Sequence, residues 1–142
     1  MYTMSKSPLV EEELTHSILG AFFEVYNELG YGFLEHLYVM ALERELVARG
    51  HRVAREVGVL VCYKGEELGY QRIDLVVDHK VILEAKSTQE LHKSATRQIL
   101  NYLKATNLEV AFLLHFGPEP KFFRLVNQQG NPRRSAKSAS SA

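Results

Sequence analysis

The chain has 142 residues, 17 basic and 17 acidic, and so carries no formal net charge. This length suits one domain with an ordinary hydrophobic core, and the charge balance leaves only a local groove, not a global field, for attracting nucleic acid. A single cysteine excludes a disulfide framework and a zinc site of the CxxC kind.

The first residues, MYTMSKSPLVEEE, lack the apolar core of a signal peptide. No apolar run approaches the roughly 20 residues of a membrane span, so a soluble, cytoplasmic, reducing setting with no membrane partner is expected. From Pro8 to about Leu29, Leu14, Ile18, Phe22, Val25 and Leu29 recur at helical spacing. Gly30-Tyr-Gly32 ends that helix. A second begins near Phe33, with Leu34, Leu37, Tyr38, Ala41, Leu42 and Leu46 on one side, and stops at Arg49-Gly50, where glycine favours a left-handed cap.

The period then shortens to that of strands. His51 to Tyr63 is valine-rich, and its Cys62 is expected to be a small buried hydrophobe. Lys64-Gly65-Glu66 is a turn, Glu67 to Val77 a second strand, Asp78-His-Lys80 a short turn and Val81 to Lys86 a third strand. Helical spacing returns around Ala95, Ile99, Tyr102 and Leu103. Glu109 to Phe116 and Lys121 to Val126, separated by Gly117-Pro118, close the series. The order α-α-β-β-β-α-β-β predicts one α/β domain over residues 8–127, a mixed central sheet flanked by helices. Residues 128–142 are polar, small and basic, and are expected to be disordered.

Within this pattern the hairpin RIDLVVDHKVILEAK poses a problem, because charged side chains are seldom buried unless paired or bound to metal. Alternation places Ile73, Leu75 and Val77 on one face of the second strand and Asp74 and Val76 on the other. On the third strand, Val81, Leu83 and Ala85 take one face and Ile82, Glu84 and Lys86 the other. A three-residue turn pairs Val77 with Val81 and brings Asp74 opposite Glu84, with Cβ atoms about 4.5–5.5 Å apart. Like charges so placed destabilise a sheet. A bound cation, a shared proton or the nearby Lys86 would compensate; an exposed hairpin face bearing an ordinary charge cluster would need nothing. A hard divalent cation suits all three groups, with the Ala85 carbonyl as a further oxygen ligand and substrate phosphate completing the shell. Lys86 would then orient water and offset charge in the transition state. This points to metal-assisted phosphodiester hydrolysis.

Asp74…Glu84-Ala-Lys86, preceded by a helix with Glu35 and followed by one with Gln98 and Tyr102, resembles the PD-(D/E)XK nuclease superfamily. GFLEHLY (Gly32, Glu35, Tyr38), GYQRIDLVV, VILEAK, QILNYL and AFLLHFG in that order resemble its GxxExxY protein family, from about Leu14 to Val126. The resemblance implies a restriction-endonuclease-like core, a magnesium or manganese cofactor, and a DNA or RNA substrate. It implies Asp74 and Glu84 as metal carboxylates, Lys86 as the catalytic lysine, Glu35 as an additional acid directed at the metal, and Gln98 at the rim. Tyr102 shares a face with Gln98, and Tyr38, at i+3 from Glu35, is placed to hold that carboxylate. Ile73 stands where the superfamily has proline. His115 and Ala111 stand in place of asparagine and glycine on a late strand, expected to lie away from the metal.

The six histidines show no ligand spacing, and His36 should point away from Glu35. Arg72 is expected either to contact a phosphate or to pair with Asp74. Lys93, Arg97 and Lys104 on the third helix would track a nucleic-acid backbone or form a solvated face. No Walker loop, GxSxG elbow or dinucleotide fingerprint occurs, so no nucleotide cofactor is expected. The rival to a nuclease is a catalytically silent nucleic-acid-binding or assembly module on the same fold, and a homo-oligomer is plausible under both.

Overall fold

The computed structural model describes residues 8–127, so the tail from 128 onward lies outside the described residues. Helix α1 (Pro8–Leu29) buries Leu14, Ile18, Ala21, Phe22 and Val25 along one stripe and ends where Gly30 takes φ 73°. Helix α2 (Glu35–Ala48) buries Tyr38, Val39, Leu42 and Leu46. Leu34 and Leu37, expected on that stripe, are exposed, because the buried face is rotated toward Val39. Gly50 closes the connection with φ 94°, the left-handed geometry its sequence position predicts.

Strands β1 (Val53–Tyr63), β2 (Glu66–Val77), β3 (Val81–Lys86), β4 (Val110–Phe116) and β5 (Pro120–Val126) form one sheet in the order β1-β2-β3-β4-β5. All neighbours are antiparallel except β3 and β4, which run parallel through the crossover helix α3 (Ser94–Thr106). Helices α1 and α2 cover one face, packing on Leu75, Val77, Val81, Leu83, Ala85, Phe112, Leu114 and Phe116. Helix α3 covers the other with Ala95, Ile99, Tyr102 and Leu103 on Ile73, Val76, Ile82, Ala111 and Leu113. Strands covered on both sides read as unbroken apolar runs, which is why β4 is buried throughout. No helix among the described residues is long and apolar enough to cross a membrane.

Two expectations change here. Cys62 is exposed, because the distal β1–β2 ribbon runs past both helical layers and every residue from Leu60 to Arg72 is exposed. Ile73 packs beneath α3 with Val76, not with Leu75 and Val77 on the α1–α2 side. The strict alternation slips at the level of Asp74, where the facing stretch of β1 contains Glu56 at φ 55°. A non-glycine residue in that region bends and twists its strand.

Candidate functional site

The β2–β3 hairpin turns through Asp78 and His79, both at positive φ, and pairs Val77 with Val81, Val76 with Ile82 and Leu75 with Leu83. At the next step the regular ladder stops, and side chains take over. The N–H of Asp74 donates to Glu84 Oε1 at 2.7 Å, and the N–H of Ala85 donates to Asp74 Oδ2 at 2.9 Å. Each carboxyl group thus caps a backbone N–H of the opposite strand, which anchors one oxygen of each side chain. Asp74 Oδ1 and Glu84 Oε2 accept no hydrogen bond from the described residues.

Glu84 is buried, while Asp74, Glu35 and Lys86 are half-buried. Burial, then the Asp74 charge, pushes the Glu84 carboxyl from 4.5 up to about 8, against the pull of the Asp74 N–H and Lys86; Glu35 adds to the rise. Asp74 is also raised, first by burial and also by Glu56, with the Ala85 N–H and Lys86 opposing. Glu35 is raised by burial and by Asp74 against Lys86 and the Ser87 N–H. Three acids therefore share one poorly solvated field that a single lysine does not neutralise. Among the described residues no ion pair joins Lys86 to any of them; its Nζ donates instead to Gln98 Oε1 at 3.3 Å.

The donor chemistry fits a hard divalent cation: two anchored carboxyl groups, each with one oxygen unspent, in a crowded acidic field that raises their pKa values and that a cation would relieve. It does not supply a complete cage. Among the described residues no group of three or more His, Cys, Asp or Glu is gathered to hold a metal; Glu35 lies within electrostatic reach of both Asp74 and Glu84. Ala85 lies beside both acids, its N–H bound to Asp74 and its side chain in the α1–α2 core.

Helix α3 provides the opposite wall. Gln98 steers the Lys86 amine, and one turn on, the Tyr102 hydroxyl donates to the Arg72 carbonyl at 3.3 Å. Burial, then the Glu84 and Asp74 charges, holds the Tyr102 phenol protonated, its pKa near 12. Arg72 is exposed and approaches Glu56 at 3.7 Å; the expected pairing with Asp74 is not made. Lys93 precedes α3, whereas Arg97 and Lys104 lie on it, and all three are exposed. His36 is an exposed residue beside Glu35.

Tyr38 does not hold Glu35. Its hydroxyl donates to the Gly30 carbonyl and accepts the Phe33 N–H, while its ring stacks on Phe116 at 4.1 Å. It fixes the loop that leads into Glu35 instead of the carboxylate itself. That loop is also tied to the end of β3, where Ser87 Oγ donates to the Phe33 carbonyl at 2.6 Å. Ser87 went unremarked in the sequence; its only signal is a small hydroxyl residue immediately after the Glu-Ala-Lys triplet. Glu56, another residue the sequence reading passed over, adds negative charge near Asp74. His115 is not remote: it is aligned with Lys86 in the parallel ladder, and its Nε2 donates to the Thr88 carbonyl at 2.9 Å, anchoring the segment after Lys86.

No curated protein matches the sequence significantly. The crystal structure of SSO0001 is similar at TM-score 0.54 and 17% sequence identity, covering 75% of this chain and 58% of that one. The chain therefore spans less than two thirds of that protein, and the likeness bears on the fold alone. The mixed five-stranded sheet with its three helices is a restriction-endonuclease-like α/β fold. The sequence itself matches the PD-(D/E)XK nuclease superfamily over residues 12–125, and it is to that superfamily that the chain belongs.

Proposed function

We propose that residues 8–127 form a single nuclease domain that hydrolyses phosphodiester bonds of DNA or RNA with magnesium or manganese. The carrying observation is the reciprocal tie between Asp74 and Glu84, which leaves Oδ1 and Oε2 unspent beside Lys86. A divalent ion held by those two carboxylates, with the Ala85 carbonyl nearby, supplies Lewis-acid polarisation of the phosphate and a more acidic water. The chain's own residues do the rest. Asp74 and Glu84 bring fixed charge that needs no reorganisation when substrate arrives. Lys86, steered by Gln98, orients water toward phosphorus and offsets the charge that grows on the phosphoryl oxygens. Glu35 acts from outside the ligand pair, tuning the field and accepting hydrogen bonds from solvent. Tyr102 holds the Arg72 backbone at the base of the ribbon, and the exposed Arg72 side chain turns from its 3.7 Å pairing with Glu56 to contact a substrate phosphate. Gly32, Glu35 and Tyr38 support placement within the GxxExxY family.

The test is cleavage of labelled single- and double-stranded DNA and RNA with magnesium, manganese or chelator. Metal-dependent cleavage abolished by Asp74→Asn supports the reading, and absence of cleavage with every substrate and metal overturns it. The alternative is a catalytically silent nucleic-acid-binding or assembly module on the same fold. Saturable nucleic-acid binding without any hydrolysis would select it.

A further inference from the structure

The two edges of the sheet are built differently. Strand β5 begins with Pro120 and carries Lys121 and Arg124, features that discourage edge pairing. Strand β1 is the other edge, and from Val57 to Tyr63 it contains no charge and no proline. Its ribbon leaves Leu60 37%, Val61 40%, Tyr63 60%, Leu68 68% and Tyr70 70% exposed. Unpaired backbone groups beside exposed apolar side chains form a template for another strand.

The run is bounded by two residues that both leave the extended conformation, Glu56 at φ 55° and Lys64 at φ 51°, and they carry opposite charges. Both stand four positions from Leu60. A second copy related by a twofold axis at Leu60 would run antiparallel to β1. Leu60 would face Leu60 of the second copy, Val59 would face Val61, Val57 would face Tyr63, and Glu56 would face Lys64. Shifting the axis to Val61 sets Glu56 against Glu66, a repulsion; shifting it to Val59 sets Lys64 against Ala54 and Glu56 against Cys62, so the charge match across the copies is lost. Leu60 also pairs with Tyr70 on β2, so the centred register makes a continuous Tyr70–Leu60–Leu60–Tyr70 row across both copies.

We infer that β1 is a self-pairing edge, through which two copies of this chain join antiparallel about Leu60 with Glu56 matched to Lys64. This interface is independent of whether the chain hydrolyses nucleic acid, and neither outcome for catalysis bears on it. Light scattering across a concentration series should show a monomer–dimer equilibrium. Leu60→Lys should give a monomer with unchanged circular dichroism. Glu56→Lys or Lys64→Glu alone creates two like-charge pairs and should weaken the dimer about tenfold; the double variant Glu56→Lys/Lys64→Glu should restore it. In a Cys62→Ser background, Leu60→Cys should cross-link under mild oxidation and Tyr63→Cys should not. A monomer at every concentration overturns the inference, as does a dimer in which the double swap fails to rescue or Leu60→Cys does not cross-link.

Discussion

Asp74 and Glu84 close the β2–β3 hairpin reciprocally: Glu84 Oε1 accepts the Asp74 N–H at 2.7 Å, and Asp74 Oδ2 accepts the N–H of Ala85, next to Glu84, at 2.9 Å. The two acids are therefore part of the sheet's own hydrogen bonding, and changing them tests structure and chemistry together. Asp74→Asn keeps an oxygen for the Ala85 N–H while removing charge. It is expected to fold normally and to lose metal-dependent cleavage by about 10²-fold or more. Cleavage rates and thermal melts on the same preparation check this, and a variant cutting at the parental rate would remove Asp74 from the site.

The raised Glu84 pKa has a sign that can be followed through stability. The folded carboxyl holds its proton up to about 8, against 4.5 ordinarily, so between those values the native state binds more protons than the unfolded chain. Stability of the metal-free protein should fall as pH rises through this window and level off above it. Added magnesium should reduce the fall by binding the native anions, and Glu84→Gln should flatten it. Melts with chelator from about pH 5 to pH 9 measure the slope; a slope of the opposite sign would mean Glu84 is not desolvated.

Lys86 and Gln98 should separate by magnitude. Lys86→Ala removes the cation that opposes the charges of the acid cluster and should lower the cleavage rate about 10²–10³-fold. Gln98→Ala leaves the amine present but unsteered and should cost about tenfold. A loss larger than that of Lys86→Ala would show that Gln98 acts on something other than Lys86. Single-turnover rates at saturating substrate distinguish the two.

Tyr38→Phe removes a hydroxyl that donates to the Gly30 carbonyl and accepts the Phe33 N–H. Leaving those partly exposed backbone groups without the hydroxyl should destabilise the fold by about 1 kcal/mol, read from urea unfolding at a fixed pH. An unchanged midpoint would mean water replaces the hydroxyl fully.

Gly117→Ala places a methyl group 2.7 Å from His115 Cε1 and 3.1 Å from the Thr88 carbonyl. Steric displacement of the His115–Thr88 contact should destabilise the protein by about 1–3 kcal/mol. Thermal melts check the stability loss, and a parental melting temperature would show that the histidine yields freely.

The hairpin was legible because its cues are local. Asp78-His-Lys80 between valines sets the register, and the register alone aligns Asp74 with Glu84. The helices were legible from their periods, whereas Gln98 was marked only by the family resemblance. What the sequence hid depends on longer distances. VLVCY reads as core, yet nothing within it reveals that both helical layers stop short of Cys62. Tyr38 lies at contact spacing from Glu35, but its hydroxyl is claimed by a loop carbonyl on its other side. Ile73 departs from alternation where β1 contains Glu56 at positive φ, a backbone state that no glycine announces. His115 meets Lys86 only through the parallel ladder, whose alignment α3 decides.

That parallel junction also governs the order in which the molecule can come together. Strands β1 to β3 are hairpin neighbours and can associate as soon as they exist, whereas β3 finds β4 only after the polypeptide has looped over the sheet through α3. Loop-closure entropy is spent before that contact rewards it. The half carrying Asp74, Glu84 and Lys86 is built from neighbours in sequence, whereas the strand that covers its flank, β4, is reached only through the long return by way of α3.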